Sequence, residues 1–559
     1  MTADDALAPV PVPAPSPPPG RPDVRGDRTV SLALVSHTNA GKTTLARTLL
    51  RRDVGTVRDA PHVTEFSDAH GLVEAPGGER LVLWDTPGFG DTFRLAKRLR
   101  QTAHPIVRFL AEAWDRWRDR PFWASQQALR TVRDDADVLL YLVNASESPA
   151  GAGHVRPEME ILAWIGKPVV VLLNQLGPPR AQADADTDVA AWRTALASDR
   201  CVRAVLPLDA FARCWVQELT LLETIAAALP ADREATMAAL LAAWRADRVA
   251  AFDASMAALA GSLGRLAAAA EPVPAGATFG DRLKAAGAAL RWAKGGSAGD
   301  AERPVPSAAE RALVRRLEEE TQSSTQALLA LHGLSGAAER AILDRTAALV
   351  DVRLRVDEGQ AALWGGALTG AIAGLKADVL SGGLTLGGGL LAGGLLGALG
   401  GAGLARAVNI ARGTDRSTVA WSTEALDAMV ETSLLRYLAV AHFGRGRGDW
   451  AEGEAPAHWR PLVARLLAER RDALDGVWAD RAAIGRAAAH RTGGGHATAE
   501  PRDERGADAA ALDVALAERL APIVRDTAVA ALVALYPESA AAALDGRSAP
   551  PGVDPRPPG

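Results

Sequence analysis

Five short apolar runs alternate with helix-prone segments in the first part of the chain. They are Thr29–Val35, Leu81–Trp84, Asp137–Val143, Pro168–Leu173 and Val202–Leu206. The third and fourth runs, DVLLYLV and PVVVLL, are almost continuously apolar, as strands buried on both faces are. Strands that alternate with helices predict a doubly wound, mostly parallel α/β sheet.

Past Pro230 the strand pattern stops and helical periodicity replaces it. Residues 231–350 and 415–485 are rich in Ala, Leu and Arg and predict packed helices. Asp513–Leu535 predicts a last helix, whereas the polar stretch Arg491–Asp508 is typical of a solvated loop. We therefore expect a mainly α-helical second half.

Composition divides the chain into two folded parts with a tail at each end. In order, the predicted divisions are a disordered Pro-rich tail at 1–27, an α/β domain at 28–230 with a helical insertion near 94–133, a helical domain at 231–545 with a Gly-rich apolar segment at 361–404, and a disordered tail at 546–559.

Overall composition narrows the class of protein. Of 559 residues, 48% are hydrophobic and 23% are charged, which is typical of a globular protein. The two cysteines, Cys201 and Cys214, are too few for a disulfide scaffold or a cysteine-based zinc cluster. The net charge of −5 argues against a dedicated nucleic-acid binder, so no nucleic-acid partner is expected. Residues 1–20 lack the pattern of an export signal, which favours a cytoplasmic location.

The first apolar run ends in the string SHTNAGKT, from Ser36 to Thr43. This is a P-loop motif in which Ser36 replaces the first glycine, and a predicted strand precedes it and a predicted helix follows it. Backbone N–H groups of such a loop wrap phosphates at a helix N-terminus, while the lysine reaches the β- and γ-phosphates and the threonine binds Mg²⁺. The candidate nucleotide-binding residues of this loop are Ser36, Asn39, Ala40, Gly41, Lys42, Thr43 and Thr44.

A second motif, DTPG at residues 85–88, closes the strand that follows. In nucleotide switches an aspartate at this place holds Mg²⁺ through water, and the glycine amide contacts the γ-phosphate. Asp85 is therefore a candidate Mg²⁺ ligand together with Thr43. Lys42 and Gly88 are candidate catalytic residues.

The pairing of these two motifs resembles the Era/TrmE-like class of translation-factor-related GTPases, over about residues 28–230. The resemblance implies a P-loop G domain that binds Mg²⁺ and GTP and hydrolyses GTP. It also implies a switch I threonine between the two motifs, which contacts Mg²⁺ and the γ-phosphate. Thr64 fits that position and is a candidate catalytic and metal-binding residue, with Thr56 as the alternative.

The base-recognition motif departs from the family pattern NKxD. The corresponding string begins at Asn174 and reads NQLG, so Gln175 replaces the lysine and Gly177 replaces the aspartate that binds guanine. Loss of a charged acceptor removes bonds worth roughly 1.5–3 kcal/mol each, so a preference for GTP over ATP is not fixed by this motif. Asp209, after the last predicted strand, is a candidate replacement for the carboxylate. Its alternative role is that of a helix N-cap.

Two further residues bear on the rate of hydrolysis. In Ras a glutamine after the switch glycine orients the attacking water, and here that position is Phe89. Hydrolysis is therefore expected to be slow without a partner, a second protomer in a homodimer through the G domain, or a cation. Asn39 lies where potassium-activated members of the class carry an asparagine that binds K⁺, which would stabilise developing charge. The alternative is that Asn39 only braces the loop.

A glycine-rich apolar segment interrupts the helical half. Val379–Leu404 holds 26 consecutive uncharged residues, about 39 Å as a helix and long enough to span a bilayer core. Its glycines recur at intervals of four, at Gly389, Gly393, Gly397 and Gly401, so they share one helix face. Three interpretations stay open: a membrane-inserted hairpin, a hairpin buried in the helical domain, and a flexible apolar loop.

Together these features favour a nucleotide-dependent GTPase switch whose helical half reads the nucleotide state, with possible K⁺ activation. The composite resembles a bacterial family of GTPases fused to a domain of unknown function. One alternative is a dynamin-like protein that shapes or tethers membrane, at the cytoplasmic face of the inner membrane, through membrane lipid contacts of residues 361–404. Another is a P-loop protein without guanine specificity.

Overall fold

A computed structural model of the chain describes two kinds of structure in sequence, an α/β sheet layer and then a set of long helices. The described residues are 28–37, 40–51, 68–89, 92–100, 120–175, 182–208, 214–272, 308–334, 418–442, 458–492 and 502–545. The fold class predicted from the sequence is confirmed: a mostly parallel sheet is followed by a mainly helical region.

Six strands form the main sheet, in the order β2-β3-β1-β4-β5-β6. The edge strand β2 runs antiparallel to β3, and the other neighbours are parallel. The bounds are β1 Thr29–Ser36, β2 Asp68–Glu74, β3 Arg80–Asp85, β4 Val138–Asn144, β5 Val169–Asn174 and β6 Val202–Pro207. Because β1, β3, β4 and β5 run in one direction, their carboxyl ends lie at the same edge of the sheet.

Thirteen α-helices lie within the described residues, the longest of them in the second half. The first six are α1 Lys42–Leu50, α2 Thr92–Arg100, α3 Arg120–Asp134, α4 Val155–Ile165, α5 Gln182–Leu196 and α6 Trp215–Ala228. The others are α7 Glu234–Ala268, α8 Ala308–Leu331, α9 Thr423–Ala441, α10 Trp459–Ala468, α11 Arg471–Thr492, α12 Arg502–Leu535 and α13 Pro537–Asp545. A short antiparallel pair, β7 Ala270–Pro272 and β8 Thr418–Ala420, joins the end of α7 to the start of α9.

Each central strand divides its side chains between two hydrophobic cores. In β1, Leu32 and Leu34 face one core, whereas Ala33 and Val35 face the other. The second core is closed by α3, α4 and α5. The first core continues through α1 and α6 into the long helices of the second half. The sheet and the helical half therefore share one continuous apolar interior.

Polar contacts reinforce this shared core. The Trp215 indole of α6 donates to the Tyr437 hydroxyl of α9 at 3.1 Å, and both side chains are fully buried. On the outer side of α6, the hydroxyls of Thr220 and Ser539 are 2.7 Å apart. Contacts of this kind fix the register between α6 and the helices that cover it.

The strand positions agree closely with the apolar runs, but three strands were not predicted. The missed edge strand β2 has the sequence DAHGLVE, which lacks an apolar alternation because the strand is only partly buried. The other two, β7 and β8, have three residues each and are too short for any period to emerge.

The predicted solvated loop at Arg491–Asp508 is wrong at both ends. Helix α11 continues to Thr492, and α12 begins at Arg502, directly after Pro501. Charge alone does not separate a loop from a helix, because Arg and Glu have good helix propensity and proline is favoured next to the first turn. A further helix, α13, follows the predicted last one.

Several predictions concern residues outside the described part of the chain. These are the two tails, residues 101–119 of the helical insertion, and the whole Gly-rich segment at 361–404. Among the described helices, none combines the length and the apolar character that a membrane crossing requires.

A buried charge cluster lies where α1 and α6 meet α7. Glu218 of α6 is almost fully buried and accepts a hydrogen bond from the Trp244 indole at 3.0 Å. Arg51, the residue after α1, and Arg248 of α7 each approach one oxygen of this carboxylate at 3.5 Å. Glu218 thus faces two arginines that are themselves mostly buried, and Arg248 also contacts the exposed Asp247 at 3.1 Å.

We predict that Glu218→Gln strongly destabilises the protein. The substitution keeps the volume but removes the buried charge that faces Arg51 and Arg248, of which Arg248 keeps the exposed Asp247 as a partner, a change that costs about 3 kcal/mol. The thermal unfolding midpoint should fall by several degrees, whereas Glu319→Gln on the exposed side of α8 should leave it unchanged. Equal midpoints for the two variants would contradict this account of the cluster.

Candidate nucleotide-binding site

The loop between β1 and α1 is shaped by a glycine that no other residue can replace. Gly41 has φ +89°, in the left-handed region, and a Cβ built on it would lie 2.6 Å from the side-chain nitrogen of Asn174. It is the N-cap of α1, and no side chain caps that helix end. The first-turn N–H groups are therefore oriented as an anion-binding helix start requires.

Lys42 is buried at the start of α1. Its Nζ donates to Ser36 Oγ at 2.9 Å and reaches the carbonyl of His37 at 3.4 Å. Burial lowers the pKa of Lys42 to about 8, and the nearby carboxylates of Asp85 and Glu158 oppose the shift. An anion bound at this loop would supply the compensation that the buried ammonium needs.

Asp85 is the matching buried acid at the end of β3. Thr43 Oγ1 donates to its Oδ2 at 2.6 Å. Burial raises the pKa of Asp85 to about 6, against the effects of Thr43 and Lys42. Its other oxygen, Oδ1, is buried and has no hydrogen-bond partner among the described residues. One hydroxyl and one carboxylate with a spare oxygen fit Mg²⁺, which keeps several waters and uses few protein ligands.

The segment after Asp85 is anchored along β1. Thr86 Oγ1 donates to the carbonyl of Leu34 at 2.5 Å, and the N–H of Phe89 donates to the carbonyl of Ser36 at 3.0 Å. Gly88 lies between these two anchors and is partly exposed. The Phe89 side chain is fully buried in the second core, away from any position where it could orient a water.

Asn174 at the end of β5 contacts the phosphate loop. Its Nδ2 donates to the carbonyl of Ala40 at 2.8 Å, and the side chain is fully buried. The next residue, Gln175, has φ +59°, an uncommon conformation for a residue with a side chain. This asparagine therefore braces the loop from the neighbouring strand end.

The predicted residues of the described part meet at one edge of the sheet, where Ser36, Asp85 and Asn174 end strands and Lys42 and Thr43 begin α1. Thr44 follows Thr43 in α1 and is buried. Asn39, Thr56, Thr64, Gly177 and Asp209 lie outside the described residues.

Sequence reasoning missed a cluster of three polar residues, one within the P-loop string and two beside it. His37, Thr92 and Glu158 are joined by hydrogen bonds, although they are far apart along the chain. His37 lies inside the P-loop string, but no motif marks its partners.

The fold and these contacts define a P-loop nucleotide-binding domain. A sequence model of the family described as "50S ribosome-binding GTPase" matches residues 31–175, which hold all of β1 to β5 except the first two residues of β1. This part of the chain is accordingly a GTPase domain of that class, an enzyme domain that binds GTP. No curated protein is significantly similar in sequence to the chain.

Three solved structures illustrate what the fold is similar to. Era from Aquifex aeolicus, bound to GDP and aluminium fluoride, shares 19% identity over 36% of this chain with a TM-score of 0.28, and the match spans 57% of that Era chain. A probable GTP-binding protein EngB shares 13% identity over 32% of this chain and 88% of its own, with a TM-score of 0.20. A bacterial dynamin, from an oligomerised pair that tethers membranes, shares 9% identity over 92% of this chain and 71% of its own, with a TM-score of 0.22.

We predict that Asp85→Asn stabilises the nucleotide-free protein at pH 7.5. The folded carboxyl holds its proton more tightly than the unfolded one, since its pKa rises from 3.8 to about 6. The ionised form therefore lowers the free energy of unfolding by about 3 kcal/mol. This loss is absent below pH 4, grows between pH 4 and 6, and reaches its full value above pH 6. Asparagine lacks this penalty.

Thermal unfolding at several pH values measures this effect. The midpoint advantage of Asp85→Asn should be largest at pH 7.5 and should shrink as the pH is lowered to 5. Asp232→Asn, at an exposed aspartate, should show no such trend. A wild-type protein more stable than Asp85→Asn at pH 7.5 without nucleotide would contradict the assigned cause.

Proposed function

We propose that the protein is a slow, Mg²⁺-dependent GTPase that acts as a nucleotide-dependent switch. The observation that carries this proposal is the burial of Lys42 and Asp85, with Thr43 hydrogen-bonded to Asp85, at the edge of a sheet whose sequence matches a GTPase family. Within the proposal, Lys42 and the N–H groups from Ser36 to Thr44 bind the phosphates. Thr43 and Asp85 hold Mg²⁺, Asp85 through water, with Thr64 joining them in the triphosphate state.

Slow hydrolysis follows from the residue after Gly88. The buried, apolar Phe89 neither carries a polar group nor faces the phosphate edge. Charge that develops on the β- and γ-phosphates must therefore be stabilised by other means. We propose that K⁺ held by Asn39 supplies part of that stabilisation.

Guanine recognition in this proposal comes from Asp209 instead of the altered NQLG motif. Support comes from the end of β6, where the N–H of Leu208 donates to the carbonyl of Leu173 at 3.0 Å. Leu208, the residue before Asp209 in the sequence, therefore lies beside the strand that carries Asn174. The helix that follows has Cys214 at its N-cap. A carboxylate at 209 would accept two hydrogen bonds from guanine N1 and N2.

Coupling to the helical half runs through Arg51 in this proposal. Arg51 leaves α1 with φ +54° and is followed by the stretch that holds Thr56 and Thr64. Its side chain approaches Glu218, and a Cβ added to Gly333, just after α8, would lie 3.2 Å from the Arg51 Cβ. A movement of the chain at Arg51, where the stretch with Thr56 and Thr64 begins, would therefore displace α6 in the first half and the end of α8 in the second.

The first test measures nucleotide preference by competition. A fluorescent GTP analogue bound to the full chain with Mg²⁺ would be displaced by GTP, ATP or XTP, in K⁺ and again in Na⁺. We expect GTP to compete at least tenfold better than ATP, since two charge-assisted bonds discriminate guanine. Turnover should be faster in K⁺, and Asn39→Ala should remove that difference.

Two variants make this test specific. Lys42→Ala should abolish nucleotide binding, and normal affinity in that variant would refute the site. Asp209→Asn should shift preference from GTP towards XTP, because the amide can donate to the xanthine oxygen that replaces the guanine amino group. Equal competition by ATP and GTP in the wild type would reject guanine specificity and leave a P-loop protein of broad base preference.

A second candidate function is nucleotide-controlled membrane tethering or shaping. It is carried by the uncharged run Val379–Leu404, whose ordered glycines allow close approach of helices. In this alternative the nucleotide controls assembly at a lipid surface, and turnover is secondary.

Liposome flotation separates the two candidates. The intact chain should float with phosphatidylethanolamine–phosphatidylglycerol vesicles if residues 361–404 enter the bilayer, and a chain lacking 361–404 should not. Leu395→Lys, which keeps the segment but places a charge within it, should also reduce flotation. An intact chain that stays in the soluble fraction would reject the membrane function.

A further inference from the structure

A fully buried carboxylate lies beside the P-loop without belonging to any motif. Glu158 of α4 has no exposed surface and accepts three hydrogen bonds. The donors are Tyr141 OH at 2.6 Å to Oε2, and Thr92 Oγ1 at 2.8 Å and His37 Nδ1 at 2.9 Å to Oε1. A carboxylate without such donors is very costly to bury, so these three hydrogen bonds are what allows Glu158 to be buried.

The donors belong to three different elements. His37 is the second residue of the P-loop string, Thr92 is the first residue of α2, and Tyr141 lies in the middle of β4. A single oxygen, Glu158 Oε1, thus joins the phosphate loop to the helix that follows the DTPG segment. The hydroxyl of Thr92 is also within 3.4 Å of His37 Nδ1, so the three groups form one compact cluster.

This cluster is a third anchor on the segment that carries Gly88, as far as that segment is described. The first two are the bonds of Thr86 to Leu34 and of Phe89 to Ser36, and both end on backbone carbonyls. The Thr92–Glu158 bond joins two side chains instead. It can therefore be removed by substitution while the backbone anchors stay in place.

Glu158 also acts on the phosphate-binding lysine. Its charge and that of Asp85 both favour the protonated form of Lys42. On the outer side of the cluster, the rings of His37 and His154 stack with centroids 4.5 Å apart. The carboxylate is thus electrostatically linked to the nucleotide site while its hydrogen bonds hold the switch segment.

We propose that Glu158 is a positioning residue that clamps the start of α2 to the P-loop and so keeps Gly88 aligned with the γ-phosphate. This inference rests on the proposed GTPase function. The clamp contributes to turnover and not to the binding of GDP, which has no γ-phosphate. It also makes the order of α2 dependent on the state of the P-loop.

The test removes one donor from the clamp in the full-length protein. Thr92→Val keeps the shape of the side chain and deletes the hydroxyl, whereas Thr92→Ser keeps the hydroxyl. We expect Thr92→Val to lower the single-turnover rate of GTP hydrolysis about tenfold, the effect of one lost bond to a charged acceptor. Its affinity for GDP should stay within about twofold of the wild type, and Thr92→Ser should restore the rate.

Amide hydrogen exchange of residues 92–100 gives a second readout that does not need turnover. Thr92→Val should exchange faster there than the wild type, both without nucleotide and with a non-hydrolysable GTP analogue. Thr527→Val, which removes a fully buried hydroxyl from α12, should change neither the rate nor this exchange.

Unchanged turnover and unchanged exchange in Thr92→Val would overturn the clamp. Parallel losses of GDP affinity, turnover and thermal stability would also overturn it, since they would mean a merely structural hydroxyl. If the wild type failed to hydrolyse GTP, the proposed function would fail, while the exchange of residues 92–100 would still decide the clamp.

Discussion

Two opposite charges are buried together at the edge where β1 and β3 end, and the remainder of the site holds them there. Lys42 and Asp85 each have a pKa displaced towards neutrality by burial. In a medium of low polarity such groups are stable only when their partners are close and well placed. The left-handed Gly41, the hydroxyl of Thr43 and the brace from Asn174 supply that placement. Burial of these charges therefore lowers the stability of the nucleotide-free protein, and a bound ligand of matching charge would compensate for it.

The second organising constraint is the division of the sheet between two interiors. One face is closed by α3, α4 and α5, whereas the other is covered by α1, α6 and α7, against which the remaining long helices pack. The candidate phosphate site is therefore only one helix away from the second half of the chain, since α1 begins at Lys42 and is followed by Arg51 beside Glu218. A change of shape at either end of α1 cannot be absorbed by a loose linker, because buried charges hold both ends.

The sequence predicted those features that depend on a few consecutive residues. Apolar runs located five of the six main strands, and the P-loop and DTPG strings marked the candidate phosphate site because each needs only a few consecutive residues. Edge strand β2 escaped because partial burial erases the alternation. The cluster around Glu158 escaped for another reason: its partners His37 and Thr92 are 121 and 66 residues away along the chain, and only the fold brings them together. The charged start of α12 shows that polarity by itself does not separate helix from loop.

The shared interior has a consequence for the order in which the chain is made. The sheet is complete once β6 ends at Pro207, but the helices that complete the first core extend to α13, which ends at Asp545. At about 5–20 residues per second, tens of seconds separate these two points during synthesis. Throughout that interval the side of α6 that packs on α9 and α13 lacks its final cover. We therefore expect the nascent chain to expose apolar surface as it leaves the ribosome, and the shared core is complete only when α13 has been released.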